Sequence, residues 1–146
     1  MSDRLSSAQR HLCMSHIRGK DTKPEIFVRT ALWRLGFRYK LNDPKLPGKP
    51  DIVFPKYHTV IFINGCFWHG HPGCKKARIP ATNEDFWKAK ILSNINRDQL
   101  NISLLKQAGW NVIVVWECEL STKEKRAATI EYLSAEISKD KKKKGE

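Results

Sequence analysis

The chain has 146 residues, 40% hydrophobic and 29% charged, which suits one folded domain and excludes a disordered segment. Its formal net charge is +12, from 27 Lys and Arg against 15 Asp and Glu, and setting aside the lysine-rich end still leaves +9. A body this basic points to a polyanionic partner, most often nucleic acid, because each neutralised phosphate releases condensed counterions; a basic surface serving only solubility is the alternative.

Residues 1–20 form a polar, basic arm that includes Arg18 and Lys20 and has no strong period, so an arm or a frayed terminus fits it equally. The pattern then predicts a helix from Lys23 to Leu35, capped by Asp21 or Thr22, with Pro24 in its first turn and Gly36 at its end. Val28, Ala31, Leu32 and Leu35 share one face of it, and Glu25 falls on the same stripe. A carboxylate aimed inward needs a partner or a metal; otherwise Glu25 serves only as an acid favoured at a helix N-terminus.

Strand-like runs follow at Phe37–Asn42, Asp51–Phe54 and Thr59–Asn64. A loop of turn formers separates the first two, and Pro55-Lys56-Tyr57-His58 reverses the chain between the second and third, so those two pair antiparallel. A long helix is predicted from about Glu84 to Ala108, with Thr82 and Asp85 at capping-box spacing, a stripe of Ile91, Ile95, Ile102 and Leu105, and Gly109 as its stop. Trp110–Trp116 reads as a buried strand, and Ser121 with Glu124 caps a last helix that turns Ile130, Leu133 and Ile137 inward. Trp33, Trp110 and Trp116 look like core residues. The whole reads as one domain over 1–138 with a flexible tail at 139–146.

No apolar stretch approaches the roughly 20 residues that span a bilayer, and Met1-Ser2-Asp3-Arg4 lacks the apolar run of a secretory signal. A cytoplasmic, reducing setting is expected, where cysteines serve metal or catalysis more often than disulfides. Cys66, His71 and Cys74 fall within nine residues, and Cys118 follows the buried strand. Three thiolates and an imidazole make a tetrahedral set that suits a structural Zn²⁺, with His69 and Cys13 as competing ligands and unrelated buried cysteines as the alternative.

Asp51, after Pro50 at a strand start, can hold Mg²⁺ through hard oxygen and leave positions for water and phosphate. Glu25 is the best second carboxylate, and His69 can take a proton from water near neutral pH. Phe67 and Trp68 lie between proposed zinc ligands, and Trp87 lies in the first turn of the long helix. Such side chains can wedge between base pairs and kink a duplex, although core packing is the default for any aromatic.

The runs Arg18-Gly19-Lys20-Asp21-Thr22-Lys23-Pro24-Glu25, Pro47-Gly48-Lys49-Pro50-Asp51, Asn64-Gly65-Cys66-Phe67-Trp68-His69, Pro80-Ala81-Thr82 and Gly109–Cys118 resemble the very short patch repair (Vsr) DNA mismatch endonucleases over roughly residues 8 to 135. The resemblance implies an α/β fold of the restriction-endonuclease type (PD-(D/E)XK), a mixed sheet flanked by helices with a structural zinc site. It implies Mg²⁺-dependent nicking of one strand of double-stranded DNA, 5′ to the thymine of a T:G mismatch left by deamination of 5-methylcytosine. Asp51 and the Ile63 carbonyl would hold Mg²⁺, His69 would be the general base, and Glu25 would support the site. Cys66, His71, Cys74 and Cys118 would hold Zn²⁺, while Phe67, Trp68 and Trp87 would intercalate. Arg18 and Lys20, in the first matching run, are further expected DNA contacts.

The chain departs from the family pattern at Ile63-Asn64, where the best-known type has Thr-His. Asn64 can hydrogen-bond a phosphate but cannot act as a base. The resemblance further implies a monomer in the bacterial cytoplasm near the nucleoid, with mismatch-repair proteins as partners. The competing readings are a nicking endonuclease without mismatch choice and a zinc-stabilised DNA-binding module without catalysis.

Overall fold

The structure is a computed structural model that describes residues 22–144, with side chains over 22–139. The arm, with Arg18, Lys20 and Cys13, lies outside the described residues. Helix α1 spans Lys23–Arg34; its Glu25 N–H donates to the Thr22 hydroxyl at 3.4 Å, so Thr22 is the cap. The helix ends in a Schellman turn: Gly36 takes φ +101°, and the Phe37 N–H donates to the Leu32 carbonyl at 3.0 Å. Phe37 and Leu32 both enter the core there. This turn carries Leu35 outward to 56% exposure, so the predicted inward face stops at Leu32.

The turn also shortens the first predicted strand. Phe37 is committed to closing the helix, and only Lys40–Leu41 pair as β1. Strands β2 (Ile52–Phe54) and β3 (Thr59–Asn64) form the expected antiparallel pair, with Val53 opposite Val60. All three β2 residues are buried because layers cover both faces of the sheet.

The long helix α2 (Glu84–Gln107) is the crossover that lets β4 (Asn111–Trp116) run parallel to β3. The sheet order is β1-β2-β3-β4, mixed and flanked by helices. α2 ends like α1, with Gly109 at φ +92° and the Trp110 N–H donating to the Leu105 carbonyl at 3.0 Å. Its start differs from expectation: Asn83 is the cap residue, at φ +58° and without a side-chain cap bond, so no capping box forms at Thr82–Asp85. Helix α3 spans Lys123–Lys144 and is capped by Thr122, whose hydroxyl accepts the Lys125 N–H at 3.1 Å, in place of Ser121. α3 runs to Lys144, into the segment expected to be a tail.

The main core joins Val28 and Leu32 of α1, Ile52, Phe54, Ile61, Ile113 and Val115 of the sheet, and Leu133 and Ile137 of α3. A smaller cluster of Val53, Val60 and Leu105 lies under α2. Trp33 belongs to neither: it is 46% exposed, with the Arg38 guanidinium 3.7 Å over its ring. Among the described residues, no helix is long and apolar enough to cross a membrane.

Candidate active site and metal centre

Two acids meet where α1 approaches the start of β2. Glu25, in the first turn of α1, is 4% exposed, and its carboxyl hydrogen-bonds that of Asp51. The Oδ2 of Asp51 also accepts the Ile63 N–H from β3 at 2.6 Å. Burial, and then the neighbouring Glu25 charge, push the Asp51 carboxyl from 3.8 up to about 7, against the pull of the Ile63 N–H. Two carboxyls this close share a proton near neutrality, and a divalent cation between them would displace it. Asn64, the last residue of β3, follows Ile63 directly and is 8% exposed.

Beyond Asn64 the chain coils. The His69 N–H donates to the Gly65 carbonyl at 3.2 Å and the His71 N–H to the Cys66 carbonyl at 2.9 Å. His69 therefore sits about one helical turn past the strand end. Its Nδ1 lies 2.5 Å from the Oδ2 of Asp98 on α2. A carboxylate there holds the proton on Nδ1 and leaves Nε2 as a lone-pair acceptor, the tautomer a general base requires. Sequence reading missed Asp98. The signal available was an acid on the inward stripe of α2, four residues before Ile102 and seven after Ile91.

The four expected zinc ligands converge. One donor atom from each of Cys66, His71, Cys74 and Cys118 lies within 4.8 Å of the others. A tetrahedron with Zn–S near ~2.3 Å has edges of about 3.8 Å, so the set fits the ion after minor contraction. The distant fourth ligand follows from strand pairing: β3 and β4 end side by side at Asn64 and Trp116, so Cys66 and Cys118, each two residues further on, leave the sheet as neighbours. Burial pushes the Cys66 thiol up to about 12, with the Cys118 and Cys74 thiols adding to it, so a cation is needed to make it a thiolate. His71 is stacked on Trp116, with centroids 4.1 Å apart and planes 7° from parallel. Of the competing ligands, His69 is engaged by Asp98, and Cys13 lies outside the described residues.

Phe67, Trp68 and Trp87 form one edge-to-face cluster with centroids 5.2 to 5.7 Å apart. Trp68, expected to project from the loop, is only 7% exposed and is the cluster's buried member. Phe86, which the sequence reading passed over, stands 57% exposed beside Trp87.

An acid pair at the start of β2, an imidazole held by a carboxylate and a Cys3His cluster able to hold a metal ion, all on a basic chain, are groups that suit an endonuclease. Comparison with known proteins makes this particular. The family model "DNA mismatch endonuclease Vsr" matches residues 2–76. The chain is 42% identical to "DNA mismatch endonuclease Vsr" of Escherichia coli over 86% of this chain and 80% of that protein. It is 51% identical to "Type II nicking enzyme V.NmeAIP" of Neisseria meningitidis, covering 84% and 87%. It is 48% identical to "Type II nicking enzyme V.XorIIP" of Xanthomonas oryzae, covering 83% and 88%. The chain belongs to the Vsr family of DNA mismatch endonucleases.

Proposed function

We propose that this protein nicks one strand of double-stranded DNA, 5′ to the thymine of a T:G mismatch, using Mg²⁺ at Asp51 and a structural Zn²⁺ at Cys66, His71, Cys74 and Cys118. The reading is supported by two hydrogen-bonded pairs, the buried Glu25–Asp51 carboxyls and the His69 ring held by Asp98. Within one strand residue the N–H and C=O point to the same edge, so the Ile63 carbonyl faces the side on which Asp51 accepts the Ile63 N–H. Asp51 and that carbonyl would hold Mg²⁺, which when bound would neutralise charge developing on the phosphoryl oxygens. His69 Nε2 takes the proton of the attacking water, while Asp98 stabilises the resulting imidazolium. Glu25 keeps Asp51 in place, and Asn64 donates to a phosphate oxygen. Phe67, Trp68 and Trp87 supply the wedge; Phe67 makes the first contact, because Trp68 is buried behind it. Arg18, Lys20 and the general positive charge add sequence-independent affinity.

The test is a nicking assay with Mg²⁺ on duplexes that differ only in carrying T:G, T:A or C:G at one position. The expected result is a single nick in the thymine strand of the T:G duplex. Nicking of all three would leave a DNA nickase without mismatch choice, and nicking of none would refute the reading.

A further inference from the structure

The inward stripe of α2 is interrupted by two polar residues one turn apart. Asp98 grips the His69 ring. Asn94, only 3% exposed, has no place in that mechanism. Its Nδ2 donates to the Trp68 carbonyl at 2.9 Å, and its Oδ1 accepts from the Arg97 guanidinium at 2.9 Å. A guanidinium only donates and a carbonyl only accepts, so these partners fix which end of the carboxamide faces the loop.

The Trp68 carbonyl belongs to the peptide that joins the aromatic cluster to His69. The helix thus holds His69 at two points: the peptide before it through Asn94 and the ring through Asp98. The next residue tightens the same registration. Gly70, at φ +60°, lies so close to α2 that a Cβ would fall 2.7 Å from Ile95 Cδ1 and 2.8 Å from Ile91 Cγ2. An apolar residue at 94 would continue the stripe and satisfy folding more simply, since a buried carboxamide costs free energy unless its bonds are made.

We infer that Asn94 is a positioning residue: by holding the Trp68–His69 peptide it makes the aromatic cluster and the imidazole one rigid unit, so that seating the aromatics in the duplex sets the base. The inference rests on the nicking function proposed above. Asn94→Asp keeps the size and the acceptor for Arg97 but removes the donor to Trp68; Asn94→Leu removes both bonds. Single-turnover nicking of the T:G duplex with saturating Mg²⁺ should slow roughly 10²-fold in each, the scale of a misplacement near 1 Å. Duplex affinity and zinc content should stay within about threefold of the unaltered protein, a split expected of a transition-state effect.

In an Asp98→Asn background the added loss from Asn94→Asp should shrink below about tenfold, because both changes misplace one imidazole. Should Asn94→Asp not fold, Arg97→Ala, at an exposed side chain, gives the same reading in a weaker form, about a threefold or greater slowing. An unaltered nicking rate in these variants, or a full multiplicative loss in the Asp98→Asn background, overturns the inference while the function stands. An unaltered protein that nicks none of the duplexes overturns the function itself.

Discussion

Replacing Asp51 by Asn should abolish nicking and, at alkaline pH without Mg²⁺, stabilise the protein. The Asp51 carboxyl titrates near 7 when folded against 3.8 as its ordinary value, first because it is buried and then because Glu25 adjoins it. Between those values the folded state holds more protons than the unfolded chain. The stability linked to this group is therefore full below about pH 4 and is lost as pH rises through 7. Integrating the proton difference from pH 6 to pH 8 gives a loss of about 1.4 kcal/mol. For a chain of this length that is roughly 4 °C in Tm. Asp51→Asn removes the titration while every other ionisable group remains. The assay is thermal unfolding of the zinc-loaded protein in Mg²⁺-free buffer at pH 6, 7 and 8. The Tm of the unaltered protein minus that of Asp51→Asn should fall by about 4 °C across the series. Adding Mg²⁺ at pH 8 should raise the Tm of the unaltered protein and leave the variant unmoved, because only the unaltered site offers the cation an ionised carboxylate at position 51. A Tm difference independent of pH would refute the burial argument, and an equal Mg²⁺ response in both proteins would refute Asp51 as the ligand.

Cys118→Ser should lower bound zinc from one per chain to well below one and destabilise the fold by several kcal/mol, the scale of a lost structural metal; a colorimetric thiol-release zinc assay and a urea melt check this. Asp98→Asn should cut the nicking rate on the order of 10²-fold with duplex affinity little changed, since it withdraws the carboxylate that sets the His69 tautomer; single-turnover kinetics with a filter-binding control decide it. Gly70→Ala should cost about 1–3 kcal/mol in a denaturant melt, because its Cβ would meet Ile91 and Ile95 under 3.0 Å and its φ is +60°. A melt unchanged by that substitution would mean the loop does not lie against α2.

Much of the fold was legible because its signals are local. The limits of β3 and the near-limits of α1 and α2 follow from periodicity and from glycines that can take positive φ just past the helix ends. Glu25 was legible as an inward acid because its helical phase is set within one element. The clustering of Cys66, His71 and Cys74 was plain from spacing alone.

What only the tertiary structure decided are meetings between distant segments. Cys118 completes the metal set because the parallel strands β3 and β4 end side by side at Asn64 and Trp116, so the segments that follow them start together. Asp98 reaches His69, and Asn94 reaches the Trp68 carbonyl, because α2 crosses back over the loop it follows. Trp33 stands out in solvent and Trp68 is buried, the reverse of expectation, because burial depends on which faces layers cover and not on hydrophobicity alone. The short β1 has the same origin: Phe37 could have extended a strand, but closing α1 and filling the core took its backbone and ring. Local chemistry determined which residues could serve this site; long-range pairing and burial decided which of them meet, since those free energies exist only once separate elements share a core.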